Sequence, residues 1–283
     1  MPELPEVETV RRGLDRATPQ LEIVGGEVLR PSSVAFPFSA AEFVRGVTGN
    51  AIVGWQRRGK YLLAELTCNE TRSHLAVHLR MTGQLLWLSP DDALHKHTRV
   101  RLFFADDREL RFVDQRTFGQ LWWVPPDTDP ASIVTGLQRL GPEPLSDSFS
   151  IEYFRDRLKD RRRPIKTALL DQAIVAGVGN IYADESLFLA RIHPTKPCHQ
   201  LSETEIDRLR DRVRMVLQTA IDAGGTTFSN FLNVEGVNGN YGGVAWVYDR
   251  GGQPCRVCQT PLQKIKLAGR SSCFCPKCQN NEQ

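Results

Sequence analysis

The chain has no apolar run that approaches the 18 residues a bilayer-crossing helix requires, which excludes a membrane-spanning helix. Its start, Met1-Pro2-Glu3-Leu4-Pro5-Glu6, is acidic and lacks the apolar stretch of a secretory signal, so a cytoplasmic protein is expected. There is no internal repeat and no low-complexity segment. A disulfide framework is missing too. The seven cysteines are odd in number and unevenly spaced: Cys68 and Cys198 stand alone, while Cys255, Cys258, Cys273, Cys275 and Cys278 crowd one end. A reducing compartment fits that distribution better than an oxidising one.

What is present suits a globular protein of about two domains, with 283 residues, 41% hydrophobic and 24% charged. The net charge of +3 is unevenly divided. Residues 1–149 hold 17 basic and 19 acidic side chains (−2), whereas residues 150–283 hold 19 and 14 (+5). A basic second half points to a polyanionic partner, although many solvated surfaces look alike.

The first ~140 residues read mainly as short, partly alternating strands around Ala51-Ile52-Val53, Tyr61-Leu62-Leu63-Ala64, Val100-Arg101-Leu102-Phe103 and Leu110-Arg111-Phe112-Val113. Asp106-Asp107 marks a hairpin turn. Strands at this density predict a β-sandwich or barrel, with one leading helix over residues 7–14. Gly141-Pro142-Glu143-Pro144 reads as a linker, and helical periodicity follows it. Ser150 is a predicted N-cap, a second helix begins near Pro164, and Ser202-x-x-Glu205 forms a capping box. That last helix carries the stripe Ile206, Leu209, Val213, Val216, Leu217 and Ala220, and Gly224-Gly225 stops it.

Cys255-x-x-Cys258 and Cys275-x-x-Cys278, separated by sixteen residues, offer four thiolates that suit one tetrahedral zinc. Four protein ligands leave no open position, so the ion is structural. Arg256, Lys264, Lys266, Arg270 and Lys277 surround it with no acid between Cys255 and Cys278, and Arg270 falls near the tip of the predicted hairpin. A second basic run, residues 155–166, has seven basic and two acidic side chains. It leads to Ala176-Gly177-Val178-Gly179-Asn180 and a further helix. Asn180 is a predicted N-cap, and the exposed amides of such a helix start bind phosphate in some proteins and merely join two helices in others.

Taken together, the motifs resemble those of the formamidopyrimidine-DNA glycosylases. Pro2-Glu3-Leu4-Pro5-Glu6-Val7-Glu8-Thr9, Arg57-Arg58-Gly59-Lys60-Tyr61, Asp114-Gln115-Arg116-Thr117-Phe118-Gly119, Gly177-Val178-Gly179-Asn180-Ile181-Tyr182-Ala183 and the four-cysteine ribbon occur in that family's order, over nearly the whole chain. The related endonuclease VIII branch, which favours oxidised pyrimidines, usually has glycine where this chain has Leu4. The resemblance implies an α+β protein: a catalytic sandwich with its leading helix over residues 1–140, a linker over 141–149, a helix–two-turns–helix module over 150–225, and a lesion-capping loop with a β-hairpin zinc ribbon over 226–283.

It also implies roles. Pro2, freed by removal of Met1, is the nucleophile; Glu3 is the proton donor that opens the sugar; Glu6 orders the site; Lys60 and Arg270 assist β- and δ-elimination. His78, His95, Arg116, Arg161, Lys166 and Asn180 match DNA-binding positions, Met81 and Phe118 match residues that fill the space of an extruded base, and Glu185 lies near the base pocket. Read without the resemblance, His95 is an ordinary surface histidine; the alternative for Met81 and Phe118 is a place in the sandwich core, with Arg116 contacting only phosphate. The implied partner is duplex DNA containing oxidised purines, met by a monomer with zinc and no organic cofactor. A non-catalytic zinc-ribbon DNA-binding protein would account for the charge and the metal equally well, but not for Pro2 beside Glu3 and Glu6. Three departures from the family pattern stand out. Arg80 and Gln259 occupy places where glycine is usual, and Cys273 is an additional thiol, expected at the surface.

Overall fold

The computed structural model describes residues 1–226, Val234, Gly243 and 245–280. The chain forms two compact units, Met1–Arg139 with Ala223–Asn240, and Leu140–Asp222 with Tyr241–Gln283. The helical module and the cysteine ribbon therefore share one unit, and the stretch after the long helix returns to the first. Two contacts account for that return. Thr226 N–H donates to Glu6 Oε1 at 2.9 Å, and the Val234 carbonyl accepts from Trp87 N–H at 2.9 Å.

In the first unit, α1 (Leu4–Ala17) is followed by β1 (Ile23–Val28), β2 (Val34–Phe36), α2 (Ala40–Val47), β3 (Ala51–Arg58), β4 (Tyr61–Cys68) and β5 (Thr71–His78). Then come β6 (Gly83–Leu88), β7 (Thr98–Phe104), β8 (Glu109–Asp114), β9 (Gln120–Val124) and the short α3 (Pro130–Ile133). The strands make two sheets, ordered β2-β9-β5-β4-β3 and β1-β7-β8-β6. All neighbours are antiparallel except β2 and β9. Thr98, Val100, Leu102 and Phe104 alternate inward along β7, as a strand with one buried face requires. Val7, Val10 and Leu14 from α1 join Ile52, Leu62, Leu75, Leu85 and Phe112 in one apolar core. This is the β-sandwich with a leading helix that the sequence predicts.

β8 departs from simple alternation, because all six of its residues are buried. Arg111 explains why. It is 1% exposed, is bound to Glu109, and donates to the carbonyls of Ser89, Asp92 and Ala93 at 3.2, 2.8 and 3.0 Å. One guanidinium thus folds a loop over the outer face of the strand.

The second unit contains α4 (Ile151–Leu158), α5 (Ile165–Leu169), α6 (Asn180–Ala190), α7 (Glu203–Asp222) and the hairpin β10 (Gln263–Leu267) with β11 (Arg270–Phe274). Ser150 caps α4 by accepting from Tyr153 N–H. Ser202 and Glu205 exchange hydrogen bonds at 2.8 and 3.2 Å, which completes the predicted capping box of α7. The predicted α7 stripe is buried throughout. α6 is apolar on nearly all sides, with Ile181, Tyr182, Ala183, Leu187 and Phe188 buried, as expected of a helix surrounded by α5, α7 and β11. Among the described residues no helix is long and apolar enough to cross a membrane.

Candidate active site and metal centre

The start of α1 is capped in an unusual way. Glu3 occupies the N-cap, where Ser, Thr, Asp or Asn is preferred; its side chain accepts from Glu6 N–H, and the Glu6 carboxylate accepts from Glu3 N–H at 2.8 Å. Both acids are buried, at 2% and 1% exposure. Negative charge is favourable at this end of a helix, where unpaired amides carry partial positive charge. Pro5 supplies no N–H to leave unsatisfied there. The backbone of Pro2 therefore enters a turn whose two carboxylates are fixed before any substrate arrives, and Glu6 Oε1 additionally holds Thr226 N–H.

Lys60 lies in the two-residue turn joining β3 to β4 and is 7% exposed. Arg57 ties this turn to the helix, since its Nε donates to Glu8 Oε2 at 3.1 Å and its Nη1 to the Gly59 carbonyl at 3.1 Å. Burial alone would raise the Glu8 carboxyl, but Arg11, Arg12 and Arg57 outweigh it and hold it below the usual carboxylate range. His78, at the end of β5, is pushed down to about 3 by its burial and by the charges of Arg80 and Lys60, so it is neutral. Its Nδ1 accepts from Arg80 N–H at 3.0 Å.

The bonds of His78 account for the first departure. Arg80 has φ +54°, the left-handed conformation in which glycine is usual, and this hydrogen bond supports it. Gln259 likewise has φ +62°. At both positions a side-chain-bearing residue adopts the backbone conformation that favours glycine.

Met81 and Phe118 are 37% and 51% exposed, so they do not belong to the sandwich core. The Arg116 guanidinium lies over the Phe118 ring at 4.8 Å. Met81 is in the β5–β6 loop and Phe118 in the β8–β9 loop. His78↔Gln120 and Gly83↔Asp114 pairing brings these two loops to one end of the sandwich. Each loop is closed by a glycine with no room for a side chain: a Cβ on Gly83 would collide with the Leu79 carbonyl, and one on Gly119 with the Phe112 ring. His95 is exposed in the β6–β7 loop, where its Nδ1 accepts from His97 N–H at 3.1 Å.

In the second unit the four cysteine sulfurs lie within 4.8 Å of one another, with Cys258–Cys275 at 3.4 Å and Cys255–Cys278 at 3.9 Å. A tetrahedron of sulfurs about 2.3 Å from zinc has edges of about 3.8 Å, so the set fits the ion. Val257 N–H donates to Cys255 Sγ and Cys278 N–H to Cys275 Sγ, both at 3.4 Å. The zinc is structural, one per chain. Cys273 is outside the cluster and is 4% exposed, not at the surface, because its position on β11 turns it toward Phe188 and Leu262.

The hairpin is gripped by α6. Asp184 accepts from Ser272 Oγ at 2.8 Å and from Cys273 N–H at 3.0 Å, and it pairs with Lys166 Nζ at 2.7 Å. Lys166 also donates to the Ser271 carbonyl at 2.8 Å, and Asn180 Nδ2 donates to the same oxygen at 3.0 Å. Burial raises the Asp184 carboxyl against the pull of Lys166 and these donors.

These bonds bear on two expectations. Lys166 is 1% exposed, and its ammonium holds Ser271, the residue next to Arg270. Asn180 is the first residue of α6 and not its cap, which is Gly179, so its side chain is available to the hairpin. Glu185, the next residue after Asp184, is fully buried and accepts backbone N–H bonds from Trp246, Val247 and Tyr248 at 2.8–2.9 Å. It anchors the chain entering the ribbon. Arg270 opens β11 and is exposed; Arg161 is half-buried, with its Nε donating to the Arg157 carbonyl at 2.6 Å.

Pro2, Glu3, Glu6, Lys60, His78, Met81, His95, Arg116 and Phe118 are thus carried by the first unit, while Arg161, Lys166, Asn180, Glu185, Arg270 and the cysteines are carried by the second. The predicted capping loop, residues 226–243, lies outside the described residues except for Thr226, Val234 and Gly243. Neither Asp114 nor Asp184 has a role that the sequence motifs imply. Asp114 opens one recognised motif and Asp184 follows another, and nothing in their neighbours marks either as a structural tie.

A sandwich whose leading helix buries two acids beside Pro2, joined in one chain to a helical module and a four-thiolate ribbon, defines a class of DNA-repair glycosylases. Residues 1–121 match the family described as the formamidopyrimidine-DNA glycosylase N-terminal domain, residues 140–231 its H2TH domain, and residues 252–281 the zinc finger found in FPG and IleRS. The chain belongs to the formamidopyrimidine-DNA glycosylase family. It is 64% identical over 279 residues to the formamidopyrimidine-DNA glycosylase of Nostoc punctiforme, covering 99% of this chain and 96% of that protein. It is 59% identical to the enzyme of the same name from Acaryochloris marina, with 99% of each covered. The Lactococcus lactis Fpg in complex with DNA containing an abasic site superposes with a TM-score of 0.90 at 37% identity, covering 99% of this chain and 100% of that one.

Proposed function

We propose that this protein is a bifunctional DNA glycosylase and AP lyase that removes oxidised purines, 8-oxoguanine and formamidopyrimidines, from duplex DNA through a Schiff base on Pro2. The observation that carries the reading is the reciprocal Glu3–Glu6 cap, which fixes two buried carboxylates in the turn that directly follows Pro2. Once Met1 is removed, Pro2 is a secondary amine, and a free α-amine, whose reference pKa is about 8, is neutral in part near pH 7. Its lone pair attacks the sugar C1′, the bond to the base breaks, and the base leaves with a proton. Glu3 donates the proton that opens the sugar ring. The resulting iminium ion withdraws electrons, which acidifies the C2′ hydrogen and permits loss of the 3′ and then the 5′ phosphate. Lys60 assists the first elimination and Arg270 the second.

Arg116 reads the unpaired partner of the extruded base, and Met81 and Phe118 fill the space it leaves. His78, His95, Arg161 and Asn180 serve the DNA backbone, Lys166 by holding the hairpin, and Glu185 by holding the segment that enters the ribbon. The enzyme works as a monomer in the cytoplasm, on the nucleoid. Borohydride should trap the protein covalently on a duplex containing one 8-oxoguanine, and the same duplex should be nicked without borohydride. Binding without trapping or nicking would instead identify a non-catalytic zinc-ribbon protein.

A further inference from the structure

The two loops that carry Met81, Arg116 and Phe118 are tied by a single side chain. Asp114, the last residue of β8, is fully buried. Its Oδ2 accepts from Gly119 N–H at 2.7 Å, and its Oδ1 accepts from Arg116 N–H at 3.2 Å and from the Thr82 hydroxyl. Thr82 Oγ1 in turn accepts from Arg116 N–H at 3.0 Å. Each exposed group is therefore at, or one residue from, an atom this carboxylate holds: Met81 precedes Thr82, Phe118 precedes Gly119, and Arg116 is held by its own amide. The backbone of Asp114 is fixed as well, through its N–H to the His97 carbonyl at 3.0 Å and its carbonyl to Arg99 Nε at 2.8 Å.

Hydrogen bonds to a carboxylate are stronger than those between neutral groups, and loops ordered in advance avoid the cost of ordering them on binding. Among the described residues, the Asp114 carboxylate bonds the Thr82 hydroxyl and the Arg116 and Gly119 amides, so it fixes the placement of one loop relative to the other. We propose that Asp114, acting through Thr82, is the positioning residue for opposite-base discrimination, setting the register between Met81 and the stacked Arg116–Phe118 pair. This rests on the reading of Arg116 as the group that contacts the unpaired base. Cytosine presents acceptors to a guanidinium, whereas adenine presents an amino donor on the same edge. Excision of 8-oxoguanine opposite cytosine is then faster than opposite adenine, and the ratio depends on where Arg116 is held.

The test is single-turnover excision of 8-oxoguanine opposite cytosine and opposite adenine, using wild type, Arg116→Ala, Asp114→Asn, Thr82→Val and Thr82→Ser. Thr82→Val has almost the wild-type shape but no hydroxyl, and Thr82→Ser retains it. Asp114→Asn and Thr82→Val should each lower the cytosine-to-adenine ratio about tenfold, the effect of losing one bond to a charged group. Thr82→Ser should keep the ratio within about twofold of wild type, as expected when the bond is retained. If Asp114→Asn does not fold, the two Thr82 variants decide. Should Thr82→Val slow both pairings equally while Arg116→Ala abolishes the preference, the role of Asp114 is overturned and the reading of Arg116 survives. Should Arg116→Ala itself leave the preference intact, both fall.

Discussion

The two units fix their functional groups by different means. In the first, α1 lies on a core that includes residues of both sheets, and Glu3, Glu6 and Glu8 use short bonds to add precision to a helix that apolar contacts already place. In the second, the ribbon has, among the described residues, a small cluster of Phe188, Val247 and Leu262 with Cys255, Cys273 and Cys275, and a metal together with the buried Lys166–Asp184 pair does much of the holding. Where apolar area is scarce, a metal or an ion pair supplies order, and each fails abruptly when one partner is removed.

The largest expected effect is chemical and confined to the first unit. Extra residues ahead of Pro2 turn its amine into an amide, and borohydride trapping should vanish while DNA binding persists. Trapping at the normal rate by such an extended protein would exclude Pro2 as the nucleophile. Loss of zinc should do the reverse. Chelation, or Cys275→Ser, should weaken DNA binding strongly, since structural zinc sites contribute on the order of 10 kcal/mol to folding. The sandwich should keep its near-ultraviolet circular dichroism. An apoprotein that binds DNA as tightly as the zinc form would erase the contrast between the units.

Asp184→Asn should cost about 3–5 kcal/mol in the second unit, because it leaves the Lys166 ammonium buried beside a neutral amide. Adding Lys166→Met should recover part of that loss in a denaturation series. Equal stability of the single and double variants would show that the pair is not coupled.

Much of this contrast is legible in the sequence. Periodicity located α1, α4 and α7, the cysteine spacing located the metal, and the capping box at Ser202 and Glu205 formed as expected. The buried polar contacts that join distant segments were not legible, since nothing near either partner marks the other. Nothing local shows that Arg111 folds a loop over β8, that Asp184 holds β11, or that Asp114 joins two loops. Lys166 illustrates the same difficulty. It lies in a run with seven basic side chains and matches a DNA-binding position by resemblance, and only the fold shows that it is the buried one of the seven.

Two smaller effects test the first unit. The Glu8 carboxyl is held below its unfolded value, so its contribution is complete above the unfolded pKa of about 4.3 and declines as pH falls through the folded one. Stability should therefore drop below about pH 4, and Arg57→Met should shallow that acid limb. A limb unchanged by the substitution would place the titration elsewhere. Arg80→Gly should be the mildest change, raising stability by about 1 kcal/mol through relief of a left-handed side chain, offset in part by a more flexible unfolded chain. A thermal midpoint that falls would mean that the Arg80 bond to Gln120 Oε1, at 3.4 Å, outweighs the backbone.

The crowded glycines at the ends of the Met81 and Phe118 loops bear on how this enzyme can be redesigned. Gly83 and Gly119 admit no side chain, whereas the tips beside them face solvent. Combinatorial libraries aimed at a different opposing base should therefore randomise Met81, Arg116 and Phe118 and hold both glycines constant. Variants recovered from such a library would inherit an intact scaffold, so differences among them would report on recognition and not on folding.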